Sequence, residues 1–165
     1  MNDIVNFYHY YQHKKSMSLD QKLISSLQHL VTIGVDGEEG YTKAAEMVSS
    51  KNLLTEFEQA ATSRNIQAEA IRNYLSDNGV AKPEHEGGFG GALHRAWLDI
   101  KGTLSNRSDS VVVSSCTGGD RSAIEAYQDI LKENNLPQDL RKLLTDHLEA
   151  IQSDLKNLEL YLQDK

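Results

Sequence analysis

Two acidic residues in this sequence occupy positions where chemistry is plausible. Glu38 and Asp120 each follow a glycine, and each falls in a row that should face the interior of a helical bundle. Carboxylates that face a bundle interior are the groups with which such bundles hold pairs of metal ions. A metal site is therefore the first chemistry to test against the rest of the sequence.

A di-metal centre of this type also requires Glu-x-x-His on each of the other two helices, because residues three apart share a helix face. No glutamate in the sequence is followed by histidine three residues later. Arg64 instead lies on the inward row of the second helical segment, and His147 and Asp154 border the apolar row of the fourth. A guanidinium cannot ligate a metal ion, but it can neutralise carboxylates through fixed hydrogen bonds.

Counting back from each predicted hairpin turn places Arg64 opposite Glu38 and Asp154 opposite Asp120. The sequence therefore predicts a buried polar cluster, with Arg64 in the electrostatic role of a metal and with no metal or cofactor. The members of this predicted cluster are Glu38, Arg64, Asp120, His147 and Asp154. The alternative is a single iron or manganese site whose ligands would be Glu38, Asp120, His147 and Asp154.

The elements that must position these residues follow a helical period, with inward residues separated alternately by four and three positions. The first row is Leu23, Leu27, Leu30, Gly34, Gly37, Tyr41 and Ala44, and the second is Leu54, Phe57, Ala61, Arg64, Ala68, Ile71 and Leu75. A capping box at residues 18–21 predicts that the first helix begins at Ser18. A short link at residues 49–52 predicts an antiparallel hairpin. Its second helix should end at residues 77–79, where Gly79 is typical of a helix C-terminus.

Two more helices complete the predicted bundle. The third row is Val113, Cys116, Asp120, Ile124, Tyr127 and Leu131, and the fourth is Leu144, Leu148, Ile151, Leu155, Leu158 and Leu162. The third helix should run over residues 108–134, and Pro137 suits the first turn of the fourth. The prediction is an all-α, up-down four-helix bundle of two helical hairpins over residues 18–165. A long crossover at residues 80–107 should contain a short amphipathic helix, and residues 1–17 are interpreted as a flexible or docking N-terminal extension.

Composition excludes several classes of protein. The chain has 165 residues and a formal net charge of −7, without the basic run that nucleic-acid binding would require. No apolar run is long enough to span a membrane. A single cysteine, Cys116, excludes an internal disulfide and is interpreted as a small core residue. A cytoplasmic protein that binds neither nucleic acid nor membrane is predicted, with homo-oligomers possible through helix faces or the N-terminal extension.

Three motifs resemble a family of uncharacterised bacterial four-helix-bundle proteins of the ferritin-like superfamily. They are Gly-Glu-Glu-Gly-Tyr at residues 37–41, Gly-Ala-Leu-His-Arg-Ala-Trp at residues 91–97, and the Gly-Asp pair at residues 119–120. The resemblance runs from about Ser18 to the C-terminus. It implies a ferritin-like bundle and suggests a link to stress, but it implies no particular activity. We therefore expect a non-enzymatic binding or structural protein, the alternative being a metal-binding oxidase or storage protein with a degenerate site.

Overall fold

The computed structural model describes residues 19–81 and 108–164. It contains the helices α1 (Gln21–Met47), α2 (Lys51–Asp77), α3 (Asp109–Leu131) and α4 (Gln138–Gln163). Helical residues make up 86% of this part of the chain, which has no strand. The predicted all-α class with four helices is confirmed. The predictions for residues 1–17 and for an amphipathic helix in the crossover lie outside the described residues.

The four helices pair as two antiparallel hairpins. α1 packs along α2, α3 packs along α4, and α1 also packs against α3, whereas α2 and α4 approach each other more sparsely. The carboxylate of Asp109, at the start of α3, accepts hydrogen bonds from the backbone N–H groups of Ser49 and Ser50 at 2.8 and 3.0 Å. α3 therefore begins where α1 and α2 meet, while α2 ends at the far end of the bundle, about 40 Å away for a helix of its length. The two hairpins are thus arranged with one crossover, as predicted.

Local capping fixes where the first two helices begin and end. α1 begins at Gln21 rather than at Ser18, because the side chain of Asp20 accepts a hydrogen bond from the N–H of Leu23 at 2.7 Å and serves as the N-cap. α2 begins after Ser50, so the link is shorter than predicted. Its predicted end is confirmed: Gly79 has a φ of +78°, and N–H groups of Gly79 and Val80 bond back to α2 carbonyls at 3.0 Å.

The turn between α3 and α4 differs in detail from the prediction. α3 ends at Leu131, three residues earlier than predicted, and Pro137 is the N-cap of α4 rather than part of its first turn. The guanidinium of Arg141 donates to the carbonyls of Leu131 and Glu133 at 2.9 and 2.6 Å. This side chain satisfies carbonyls that the end of α3 leaves without intrahelical partners.

The buried apolar residues form two clusters rather than one continuous core. One cluster includes Leu27, Leu30, Ile71, Tyr127, Leu144 and Ile151. The other includes Tyr41, Ala44, Phe57, Val112, Cys116 and Leu158. On α1, α2 and α3, the buried residues between the two clusters are small or polar, so a layer of different chemistry crosses the bundle between them. The predicted inward rows are largely buried, but Leu54 is 38% exposed.

No helix in the described part of the chain combines the length and apolar character needed to cross a bilayer.

Gly34 marks a close approach between α1 and α2. A Cβ atom added there would lie 2.9 Å from Cβ of Ala68 and 3.2 Å from the backbone oxygen of Arg64. Neither neighbour can move away without shifting the α2 backbone. Gly118, on α3, has no neighbouring atom within 4 Å of such a Cβ.

These two glycines give a matched pair of substitutions. Alanine favours a helix over glycine by about 1 kcal/mol, whereas overpacking costs about 1–3 kcal/mol. We expect Gly34→Ala to lower the free energy of unfolding by about 1 kcal/mol, and Gly118→Ala to raise it by up to about 1 kcal/mol. Urea denaturation of both variants measures the difference. A Gly34→Ala protein as stable as Gly118→Ala would show that the two helices are not closely packed at this point.

Candidate functional site

A layer of four polar side chains, one from each helix, crosses the bundle between the two apolar clusters. This polar layer consists of Tyr41, Arg64, Asp120 and Asp154, from α1, α2, α3 and α4 in that order. Arg64 and Asp120 are each 2% exposed, whereas the side chain of Asp154 is 32% exposed. The layer therefore begins in the centre of the bundle and reaches solvent beside α4.

The guanidinium of Arg64 bridges carboxylates from two other helices. Its Nη2 donates to Oδ1 of Asp120 at 2.9 Å, and its Nη1 donates to Oδ2 of Asp154 at 3.0 Å. The hydroxyl of Tyr41 donates to the other oxygen of Asp120 at 2.6 Å. The Tyr41 ring also lies 5.4 Å from Cζ of Arg64, within the range of a cation–π contact. All four helices are thus joined through one guanidinium.

The stem of Arg64 packs against Gly37 rather than against Glu38. A Cβ atom at Gly37 would lie 3.2 Å from Cγ of Arg64, so the glycine provides room for the arginine stem. Glu38 is one residue further along, which turns its side chain by about 100° around α1. It is half-buried, and its Oε2 accepts a hydrogen bond from Nδ2 of Asn65 at 2.7 Å. The hairpin count was wrong by one residue here, and Glu38 does not contact Arg64.

His147 lies against Tyr127, a member of the neighbouring apolar cluster. It is buried, its Nδ1 lies 3.3 Å from the hydroxyl of Tyr127, and the two rings meet edge to face. The structure therefore brings together three of the predicted cluster residues, Arg64, Asp120 and Asp154, and it places Glu38 and His147 elsewhere. The four residues of the alternative metal site do not converge. Across residues 19–81 and 108–164, no three His, Cys, Asp or Glu side chains are grouped so as to hold a metal ion.

Burial sets the protonation states around the polar layer. It raises the pKa of Asp120, and the charge of Arg64 and the hydrogen bond from Tyr41 act in the opposite direction. Burial also raises the pKa of Tyr41 well above its usual value, so this phenol stays protonated and donates. The pKa of the Cys116 thiol is raised by burial to about 12. Cys116 therefore behaves as the small core residue that the sequence predicted, since a reactive cysteine requires a thiolate.

Tyr41 is the member of the layer that sequence reasoning missed. Its place on the first inward row predicts a buried residue but gives no indication of a polar partner. A buried tyrosine hydroxyl nearly always needs a partner. Its position one turn after Gly37 on the same row could have indicated that the partner lies in the polar layer.

Three of the four residues of the polar layer lie in a part of the chain that matches a known family. The sequence profile of the family described as "Domain of unknown function (DUF2383)" matches residues 22–133 of the chain. That range includes α1 from its second residue, α2 and α3, and with them Tyr41, Arg64 and Asp120. Asp154 and His147 lie outside it. The sequence matches none of the curated proteins.

The buried ion pair predicts a large cost for removing one partner. Asp120→Asn leaves the buried guanidinium of Arg64 with one charged partner, and breaking a buried pair in this way costs about 3–5 kcal/mol. We expect the free energy of unfolding to fall by about 3 kcal/mol, measured by urea denaturation at pH 7. The control is Glu159→Gln, which removes the exposed pair with Arg121 and should cost less than about 1 kcal/mol. Equal costs for the two variants would contradict the proposed importance of the buried pair.

His147 predicts a dependence of stability on pH. Burial lowers the pKa of His147 from 6.5 to about 4, so between these values the unfolded chain takes up a proton that the folded chain does not. This imbalance is absent above pH 6.5 and grows as pH falls, reducing the free energy of unfolding by up to about 3 kcal/mol. We expect His147→Asn to flatten this part of the pH profile.

The matched control is His29→Asn, at an exposed position on α1. It should leave the slope of the pH profile unchanged in denaturation measured from pH 7 down to pH 4. If His147→Asn has the same slope as the wild-type protein, the histidine is not held neutral by the fold.

Proposed function

The chain belongs to the DUF2383 family, and we propose that it is a ferritin-like bundle protein without enzymatic activity, in which the polar layer stands where a di-metal centre would lie. Support for the ferritin-like assignment comes from the topology. Ferritin-like bundles consist of two antiparallel hairpins joined by one long crossover, and the directions of α1 to α4 agree with that arrangement. The core of the bundle, between facing helices, is where such proteins place their metal ligands.

The observation that carries the proposal is the guanidinium of Arg64 between Asp120 and Asp154. Arginine stays protonated at every physiological pH, so the centre of this bundle holds a permanent positive charge. A divalent cation placed beside it would be repelled, and Asp120, the buried carboxylate that could attract one, is already neutralised by Arg64. Arg64 thus performs the charge balance that metal ions perform in ferritin-like enzymes.

Both oxygens of the central carboxylate of the layer already accept hydrogen bonds. One oxygen of Asp120 accepts from Arg64 and the other from Tyr41. A metal would have to displace at least one of these donors and leave it buried and unpaired, which is costly for a charged group. The layer is better suited to holding four helices in one register than to binding an ion, a use that buried polar groups have in other bundles.

The cellular location of the protein and its binding partners are part of the same proposal. The lone, protonated Cys116 thiol is compatible with a reducing cytoplasm, where structural disulfides are rare. The net charge of −7 would oppose binding to nucleic acid. Homo-oligomers would form through the outer helix faces, on which Val111 and Leu160 are 46% and 48% exposed.

Metal analysis tests the proposal directly. We expect the full chain, purified without chelator, to carry only traces of iron, manganese and zinc by elemental analysis. Asp120→Ala should leave this content unchanged and lower the melting temperature, because it breaks the buried pair. Glu38→Ala is the control, since Glu38 bonds only to the exposed Asn65 and its removal should change the melting temperature little.

The opposite result would favour the metal-binding alternative. Stoichiometric iron or manganese in the wild-type chain, lost in Asp120→Ala, would overturn the proposal. In that case the guanidinium of Arg64 must move away from Asp120 when the metal binds.

A further inference from the structure

A second feature, separate from the polar layer, lies between α2 and α4. A cleft of about 620 Å³ opens between α2 and α4, where these helices pack sparsely. Its lining includes Glu58, Ile66, Gln67, Asp146 and His147. The volume is within the range of small-molecule sites in proteins.

Gln67 gives this cleft an unused hydrogen-bonding group. The residue is 5% exposed, and its Nε2 donates to Oγ of Ser63 at 3.3 Å. Its Oε1 is buried and accepts no hydrogen bond, the only buried side-chain nitrogen or oxygen of the described residues in that state. Buried carbonyl oxygens are nearly always paired, so an unpaired one on a residue that lines a cleft indicates a donor supplied from outside the chain.

The charges around the cleft indicate the type of donor. Glu58 and Asp146 contribute carboxylates, and no lysine or arginine is among its described lining residues. Lys142 pairs with Asp146 at 2.6 Å, but both side chains are more than half exposed and such a pair is weak. His147 is neutral at pH 7 because burial lowers its pKa to about 4. The cleft therefore has a negative rim, and Gln67, a residue of its wall, carries an unpaired acceptor just beneath the surface.

The cleft also offers apolar surface. Ile66 is 62% exposed, and Ala150 lines the α4 side. A ligand that combines a positively charged N–H donor with an aliphatic chain would satisfy the oxygen of Gln67 and cover this surface. A metal ion would not, because no three His, Cys, Asp or Glu ligands converge in the described parts of the chain.

We propose that the cleft between α2 and α4 binds a small aliphatic amine in its ammonium form, with the alkyl chain lying on Ile66. Its N–H group donates to Oε1 of Gln67 after the side-chain amide rotates to bring that oxygen to the cleft surface. The carboxylates of Glu58 and Asp146 attract the cation, and the hydrogen bond selects amines over other cations. The site is independent of Arg64 and Asp120, so it stands or falls separately from the function proposed for the polar layer.

Binding to the full chain can be measured by NMR titration with n-butylammonium as the probe. We expect saturable shifts of α2 and α4 resonances around Gln67. n-Butyltrimethylammonium has the same charge and chain but no N–H group, and it should bind about tenfold more weakly, as expected for loss of a charge-assisted hydrogen bond. n-Butyrate, an anion with the same chain, should not bind.

Substitutions assign the interaction to one oxygen. Gln67→Met has a similar shape but no acceptor, and it should weaken n-butylammonium binding about tenfold without loss of stability, because it removes an unpaired polar atom. Gln59→Met, at an exposed glutamine that lines the same cleft, should change binding less than about twofold. Asp120→Asn, in the polar layer, should leave binding unchanged.

Three results would overturn the proposal. They are the absence of saturable binding by n-butylammonium, equal affinity for n-butyltrimethylammonium, and unchanged affinity in a folded Gln67→Met protein. A failure of this kind would leave the metal analysis and its interpretation unaffected.

Discussion

The ion pair between Arg64 and Asp120 is the interaction on which the rest of this bundle depends. Two charges that are each 2% exposed must be kept together, since either one alone in the interior would be strongly destabilising. Tyr41 and Asp154 complete their hydrogen bonds from the other two helices. The relative heights of all four helices are therefore restricted to those at which these groups meet. An apolar interior of the same volume would tolerate sliding by a turn far more readily.

The small residues of α1 make this arrangement possible. Gly34 lets α1 approach the backbone of α2, and Gly37 leaves space for the stem of Arg64. The guanidinium then reaches past α1 toward α3 and α4 instead of being pushed to the surface. The two apolar clusters on either side exclude water from Arg64 and Asp120 and strengthen the electrostatic interaction between them. Packing and charge are thus interdependent, because the small glycines of α1 leave the space that Arg64 and the backbone of α2 occupy.

Periodicity was enough to predict the helices, their pairing and most inward rows, because burial repeats with the turn of the helix. It also placed Arg64 and Asp120 on the interior, since polar residues on apolar rows are conspicuous, and it placed Asp154 beside the apolar row of α4. It failed for Glu38, where an error of one residue turns a side chain away from its supposed partner. It also failed for His147, because position beside an apolar row does not reveal which neighbour a ring contacts. The unpaired oxygen of Gln67 had no sequence signal at all, as it depends on the gap between α2 and α4.

The distribution of the buried charges between the two hairpins has a consequence for how the halves of the chain recognise each other. The α1–α2 hairpin carries the cation Arg64, while the α3–α4 hairpin carries the anions Asp120 and Asp154. Neither hairpin can neutralise its own interior. Asp109 joins the start of α3 to the turn between α1 and α2 without relying on the covalent connection. Expressed as separate polypeptides, the hairpins would be complementary halves that favour assembly with each other over self-association, because only the mixed pair gives the buried charges of Arg64 and Asp120 opposite partners.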